Sequence, residues 1–145
     1  MQAFPHRYSV NSAADRAGEV SLESERLQTL HSAPPPEFDG PGDRSSPETL
    51  LVAALADCYV LTFRAIAGVA KLSWLSLRCD VEGTVNRVDR VTQFTQFHLH
   101  ARLKVSAGSN ADHARQLLAR AKHACLITHS LKATFDLEVD VEMVS

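Results

Sequence analysis

The sequence is short of cysteine and of surplus charge, and each shortage removes a class of protein. Three cysteines among 145 residues are too few for a disulfide scaffold, and the odd number leaves at least one thiol unpaired. Fifteen Lys and Arg against seventeen Asp and Glu give a formal charge of -2, so there is no basic surplus to displace counterions from a nucleic acid. Disorder is excluded too, because 45% of the residues are hydrophobic and 22% charged. No apolar segment follows Met1-Gln2-Ala3-Phe4-Pro5-His6-Arg7. The expectation is a cytoplasmic chain, where thiols stay reduced unless they do redox work or bind metal. No repeat and no long linker interrupt the sequence, so a single domain over residues 1–145 is expected.

What is present reads as strands, helix, hairpin, helix and strand, an α+β order. Arg7–Val10, Glu19–Glu23 and Arg26–Leu30 alternate as short strands, with Ala17-Gly18 as a turn. Ala33-Pro34-Pro35-Pro36 and Asp39-Gly40-Pro41-Gly42-Asp43 then form a loop. Ser46-Pro47-Glu48 has the chemistry of a helix start: a cap, a proline at the first helical position and an acid at the positive end of the dipole. That helix runs to about Val69-Ala70 and is apolar on nearly every face. Asp57 and Arg64 inside it would each cost about 2.5–3.5 kcal/mol at a bilayer centre, which argues for a buried soluble helix and no membrane partner. A helix of that kind is surrounded by protein, and one 145-residue chain is too small to do it alone, so a homodimer is expected.

Trp74–Arg87 and Val91–Val105 alternate as the arms of a long hairpin joined through Asn86–Arg90, with a slip near Phe97 that reads as a bulge. Asn110 caps a second helix over Ala111–Ala124, and Leu131–Val144 reads as a last strand.

Most buried cysteines are small hydrophobes. Two features set Cys58 apart: it lies mid-helix, and it follows Asp57, an odd guest in so apolar a segment. The run Ser46-Pro47-Glu48-Thr49-Leu50-Leu51-Val52-Ala53-Ala54-Leu55-Ala56-Asp57-Cys58-Tyr59 resembles the signature of the OsmC/Ohr family of thiol peroxidases. In it a Pro-Glu dipeptide opens the central helix and a cysteine follows ten residues after the glutamate, as Glu48 and Cys58 do here. Ala124-Cys125-Leu126-Ile127-Thr128-His129-Ser130-Leu131-Lys132 resembles the second signature, although the family often has proline where Leu126 stands. The resemblance covers nearly the whole chain. It implies antiparallel sheets packed around a long central apolar helix in an intertwined homodimer. Cys58 would be the peroxidatic and Cys125 the resolving cysteine. The substrate would be an organic hydroperoxide, the reductant an external dithiol, and no cofactor would be needed. Cys79 has no counterpart in the pair and reads as a structural thiol.

The nucleophile must be a thiolate. Cys58 lies away from the N-terminus of its own helix and in apolar surroundings that raise a thiol's pKa, so a cation is expected near it. A buried arginine needs an acid, and Glu48 is the natural one. Ten residues of straight helix rise about 15 Å, so either the helix breaks or Glu48 serves the partner subunit's site, the option preferred here. Arg16, in an early Arg-x-Gly turn like that of one branch of the family, is the arginine chosen. In another branch the arginine precedes a Phe-acid-Gly triplet; here Phe38-Asp39-Gly40 is preceded by Glu37. Arg44 and Arg7 stay open. A pocket built from Leu51, Leu55 and Phe63 is expected to take the alkyl group. Two rival readings remain: a metal site drawn from His123, Cys125 and His129 or from His98 and His100, which lacks the usual zinc spacing, and a non-catalytic dimer that binds an apolar ligand.

Overall fold

The computed structural model describes all 145 residues, which divide into two compact units, Met1–Leu51 and Val52–Ser145. In the first, β1 (Asn11–Ala13), β2 (Val20–Glu23) and β3 (Leu30–Ser32) form an antiparallel sheet. Two strands lie further along the chain than expected. Asn11 already pairs with Glu23 at the end of β2, so Arg7–Val10 has no strand opposite it. Arg26 has a φ of 64° and the Leu27 N–H donates to Ser24 O at 3.1 Å, which makes the start of the expected third strand a turn. The loop that follows holds a 3-10 turn over Pro36–Phe38. A Cβ on Gly40 would sit 1.6 Å from Pro34 O, so only glycine closes this loop.

Helix α1 (Pro47–Ala70) begins in the first unit and continues into the second. Its start follows the local rules: Ser46 Oγ accepts the Thr49 N–H at 3.1 Å, and Pro47 and Glu48 fill the first turn. Within the chain α1 buries one stripe, Leu55, Tyr59, Phe63 and Ala67, at the four-residue spacing of a helix face. Tyr59 donates to Leu118 O at 3.0 Å, and Phe63 meets the Trp74 ring edge-on at 5.3 Å. The expectation of a helix enclosed on all sides is not met by one chain, since Leu61 and Val69 are 48% and 88% exposed.

β4 (Trp74–Val88) and β5 (Val91–Ser106) form the long hairpin. The turn is only Asp89-Arg90, both with positive φ, which suits the twist of a two-residue hairpin loop. The expected bulge is present: Thr84 pairs with Gln96 and Val85 with Phe94, so Thr95 is the extra residue. The bulge turns Phe94 to the same face as Phe97, and their rings stack at 5.0 Å. α2 (Ala111–Ala124) opens on Asn110, whose side chain accepts the His113 N–H at 3.1 Å. A short helix not foreseen from the sequence, α3 (Leu126–Ser130), follows, and β6 (Thr134–Val144) starts later than expected.

β6 runs parallel to β5, giving the order β4-β5-β6. The sheets are therefore antiparallel except at this last pair, which needs the crossover that α2 and α3 provide. Alternation along β5 buries Phe97, Leu99, Ala101, Leu103 and Val105 on one face, and α2 covers part of the same core with Ala114, Leu117, Leu118 and Ala121. A Cβ on Gly83 would come within 3.0 Å of Val52 of α1 and closer still to Phe94 and Phe97, so α1 packs down on β4 at a point where the strand has no side chain.

Candidate functional site

Cys58 lies on α1 one residue before the buried Tyr59, on the edge of the sealed stripe, and is half-buried. Cys125 is fully buried between α2 and α3. Its N–H ends α2 on Ala121 O at 3.0 Å, and its extended backbone, φ -65° and ψ 118°, redirects the chain so that α3 can start. That bend brings the end of α2 back to α1. The Cys125 thiol and the backbone N–H groups of Ile127 and Leu126 all become donors to the Cys58 sulfur. Thr62, one turn further along α1, has its Oγ1 3.8 Å from the same sulfur. All three cysteines are free thiols.

These donors decide the ionisation of the two thiols. Burial pushes Cys58 up, but the hydrogen bonds from Cys125, Ile127, Thr62 and Leu126 outweigh it, and its pKa falls below the ordinary thiol value. Burial pushes Cys125 up, Thr128 pulls it down, and the hydrogen bond to Cys58 adds to the rise, so its pKa lies above the ordinary thiol value. Cys58 therefore ionises first and Cys125 keeps its proton. The sequence reading looked for a cation because Cys58 lies away from the N-terminus of its own helix. Within this chain two backbone N–H groups at the start of α3 and a hydroxyl also lower its pKa, and these are the site groups the sequence reading missed. Thr62, four residues after Cys58, carried a legible signal; the amides of Leu126 and Ile127 carried none, because nothing local places them beside α1.

Cys58 opens on a groove of about 560 Å3 walled by Ala54, Leu61, Ala65, Ile66, Leu126 and Ile127, with Asp57 and Thr62 as its polar members. The expected pocket wall is corrected here. Leu55 and Phe63 face the sealed core instead, because they share the Tyr59 stripe, and Leu51 is not part of the groove. Cys79 lies inward on β4, opposite Ala101, and burial pushes its thiol up to about 12, as expected of a structural cysteine.

The other chosen residues lie elsewhere. α1 is unbroken between Glu48 and Cys58, so the two are about 15 Å apart along its axis. Glu48 has a buried carboxylate oxygen, Oε2, with no hydrogen-bond partner in the chain. Arg16 is exposed in the segment between β1 and β2 and makes no ion pair or hydrogen bond. Arg44 is held by Glu19 at 2.8 Å. His129 turns to His123 O and not to Cys125, so the Cys/His metal reading gains no geometry. His100, Glu138 and Asp140 lie close together, but Arg102 donates to His100 Nδ1 at 3.1 Å. That leaves the Nε2 proton directed at Asp140, 2.6 Å away, in the place a metal would need.

Comparison with known proteins agrees with this architecture. The OsmC-like protein family matches residues 40–140. The uncharacterized protein YmaD of Bacillus subtilis is 26% identical over 126 residues, covering 85% of this chain and 83% of that protein. An OsmC-like protein of unknown function from Vibrio cholerae superposes with a TM-score of 0.86 at 18% identity, over 94% of this chain and 100% of that one. An organic hydroperoxide resistance protein OsmC from Legionella pneumophila is 25% identical with a TM-score of 0.76, over 97% of this chain and 99% of that one.

Proposed function

The chain belongs to the OsmC-like protein family, and from that premise we propose that it is a cysteine-based peroxidase that reduces organic hydroperoxides. The observation that carries the proposal is the pairing of Cys58, pKa lowered, with a buried, protonated Cys125 beside an apolar groove. The hydroperoxide-resistance role named for the Legionella relative supports the same reading.

In the proposed cycle the Cys58 thiolate attacks the distal peroxide oxygen. An S–O bond forms, the O–O bond breaks and an alkoxide leaves, to be protonated as the alcohol. Cys58 is then a sulfenic acid. The Cys125 sulfur attacks that of Cys58, its thiol proton passes to the departing hydroxide so that water leaves, and a Cys58–Cys125 disulfide forms. An external dithiol reduces it by exchange. This chemistry requires no metal, haem or flavin, and the proposed setting is cytoplasmic, without a nucleic-acid or membrane partner.

We read all 145 residues as one domain of the family, working as a homodimer. The exposed Leu61 and Val69 of α1 supply apolar surface for a second copy. The unpartnered Oε2 of Glu48 suits an arginine from that copy, since a buried carboxylate without a donor is costly. Arg16, free of partners, is the guanidinium assigned to this pairing.

Disulfide mapping tests the proposal. Reduced protein treated with a slight excess of cumene hydroperoxide should form a Cys58–Cys125 bridge within seconds, and Cys58→Ser should abolish peroxide consumption. Unchanged thiols would refute the peroxidase and favour a non-catalytic dimer that binds an apolar ligand; retained turnover in Cys58→Ser would remove that residue from its role.

A further inference from the structure

A threonine inside a helix can turn its hydroxyl to the carbonyl four residues back. Thr62 does not. Its one hydrogen-bond partner is the sulfur of Cys58, at 3.8 Å, and it also lines the groove into which that sulfur opens. With Cys58 as thiol either atom can donate. Once the sulfur is ionised it has no proton, and only the threonine hydroxyl can. The same contact therefore changes from optional to directional when the nucleophile forms.

The surroundings raise its weight. The groove has little polar surface besides Asp57, Cys58 and Thr62, so the chain offers the hydroxyl no other partner there. Asp57 is a negative neighbour that cannot donate. No guanidinium of this chain hydrogen-bonds the sulfur, so the hydroxyl stands among the thiol and two amides already described. We propose that Thr62 is a catalytic residue: its hydroxyl donates to the Cys58 sulfur and holds it as a thiolate at the groove. This deepens the peroxidase reading and rests on it for its consequence, although the contact can be tested without any peroxide.

A donor that stabilises a thiolate also makes it less nucleophilic, with a Brønsted slope of about 0.4–0.5. The two effects oppose each other and dominate at different pH. Removing the hydroxyl lowers the thiolate fraction below the titration midpoint and frees a more reactive thiolate above it. Loss of one ordinary hydrogen bond corresponds to about fivefold less thiolate below the midpoint and an intrinsic rate about twofold higher. The pH–rate profiles of the wild type and a hydroxyl-free variant should therefore cross.

The test measures alkylation of Cys58 by iodoacetamide in the full chain from pH 5 to 10, read by mass spectrometry, for the wild type, Thr62→Val and Thr62→Ser. Thr62→Val should react two- to threefold slower than wild type at low pH and about twofold faster at high pH. Thr62→Ser should follow the wild type. Thr62→Ala, a strong helix former, serves if the valine variant folds poorly. Profiles that coincide, or that differ by one constant factor at every pH, would overturn the proposal, because a purely structural role shifts rate without moving the titration. Crossing profiles in a wild type that leaves cumene hydroperoxide untouched would uphold the Thr62 contact while sinking the peroxidase.

Discussion

The seam between α1 and α3 and the outer face of the β4–β5–β6 sheet both gather ionisable side chains, with opposite consequences. On the outer face His98 lies between Asp136 and Glu138, His100 bonds Asp140, and Asp80 holds Arg78 at 3.0 Å and Arg102 at 2.5 Å. Most of these groups stand in water: the side chains of His98, Asp136 and Glu138 are 43%, 50% and 56% exposed. Exposed pairs of this kind contribute little, because solvent and salt screen them. At the seam fewer groups meet. There, one thiol, two amides and a hydroxyl reverse the effect of burial on Cys58. Abundance of charge and chemical consequence are separate properties, and the dielectric around the groups separates them.

That contrast can be broken by weakening the support beneath the seam. Phe63→Ala removes a fully buried ring that packs on Trp74, one turn beyond Tyr59 on the sealed stripe. It should cost about 3–5 kcal/mol in urea unfolding, and the selective alkylation of Cys58 over Cys79 should narrow as the core loosens. Equal selectivity in the variant would show that the seam does not depend on the stripe.

Tyr59→Phe comes next. It deletes a single oxygen and its bond to Leu118 O, which keeps the helical N–H of Lys122 as a donor. The expected loss is about 0.5–1.5 kcal/mol in the same assay. A loss near zero would mean that the α1–α2 contact is held by apolar packing alone.

The smallest effect belongs to the outer face. The hydrogen bond to Asp136 raises the pKa of His98 above its usual value, against desolvation and with help from Glu138. Because the folded value exceeds the unfolded one, the stabilisation is complete below about pH 6.5. It is lost as pH rises through the raised folded value. The urea midpoint of the wild type should therefore exceed that of His98→Gln most at acid pH, with the gap closing toward pH 9 and shrinking in high salt. A gap that widens with pH would reverse the sign of this pairing.

Local chemistry made much of the fold legible. Ser46-Pro47-Glu48 predicts the start of α1 and Asn110 the start of α2, because a cap bonds a backbone group three residues away and depends on nothing distant. The β4–β5 hairpin and its bulge follow from alternation that slips once near Phe97. The strands β1 and β3 were misplaced by a few residues because partner strands, and not propensity, set their ends. The parallel placement of β6 and the single turn of α3 were invisible. One depends on a crossover, and the other is five residues long with no side-chain cap.

The amino-acid sequence by itself determined where the helices begin, which faces are apolar and that Cys58 and Cys125 deserve attention, since each of these rests on neighbours within a few positions. Only the tertiary structure decided what surrounds the Cys58 sulfur. The backbone bend at Cys125 aims two amides and a thiol at α1, the Thr62 hydroxyl joins them, and an exposed groove forms where Leu55 and Phe63 had been expected to stand. Ionisation of a thiol is governed by the few donors within hydrogen-bond reach, and here most of them come from a distant stretch of chain.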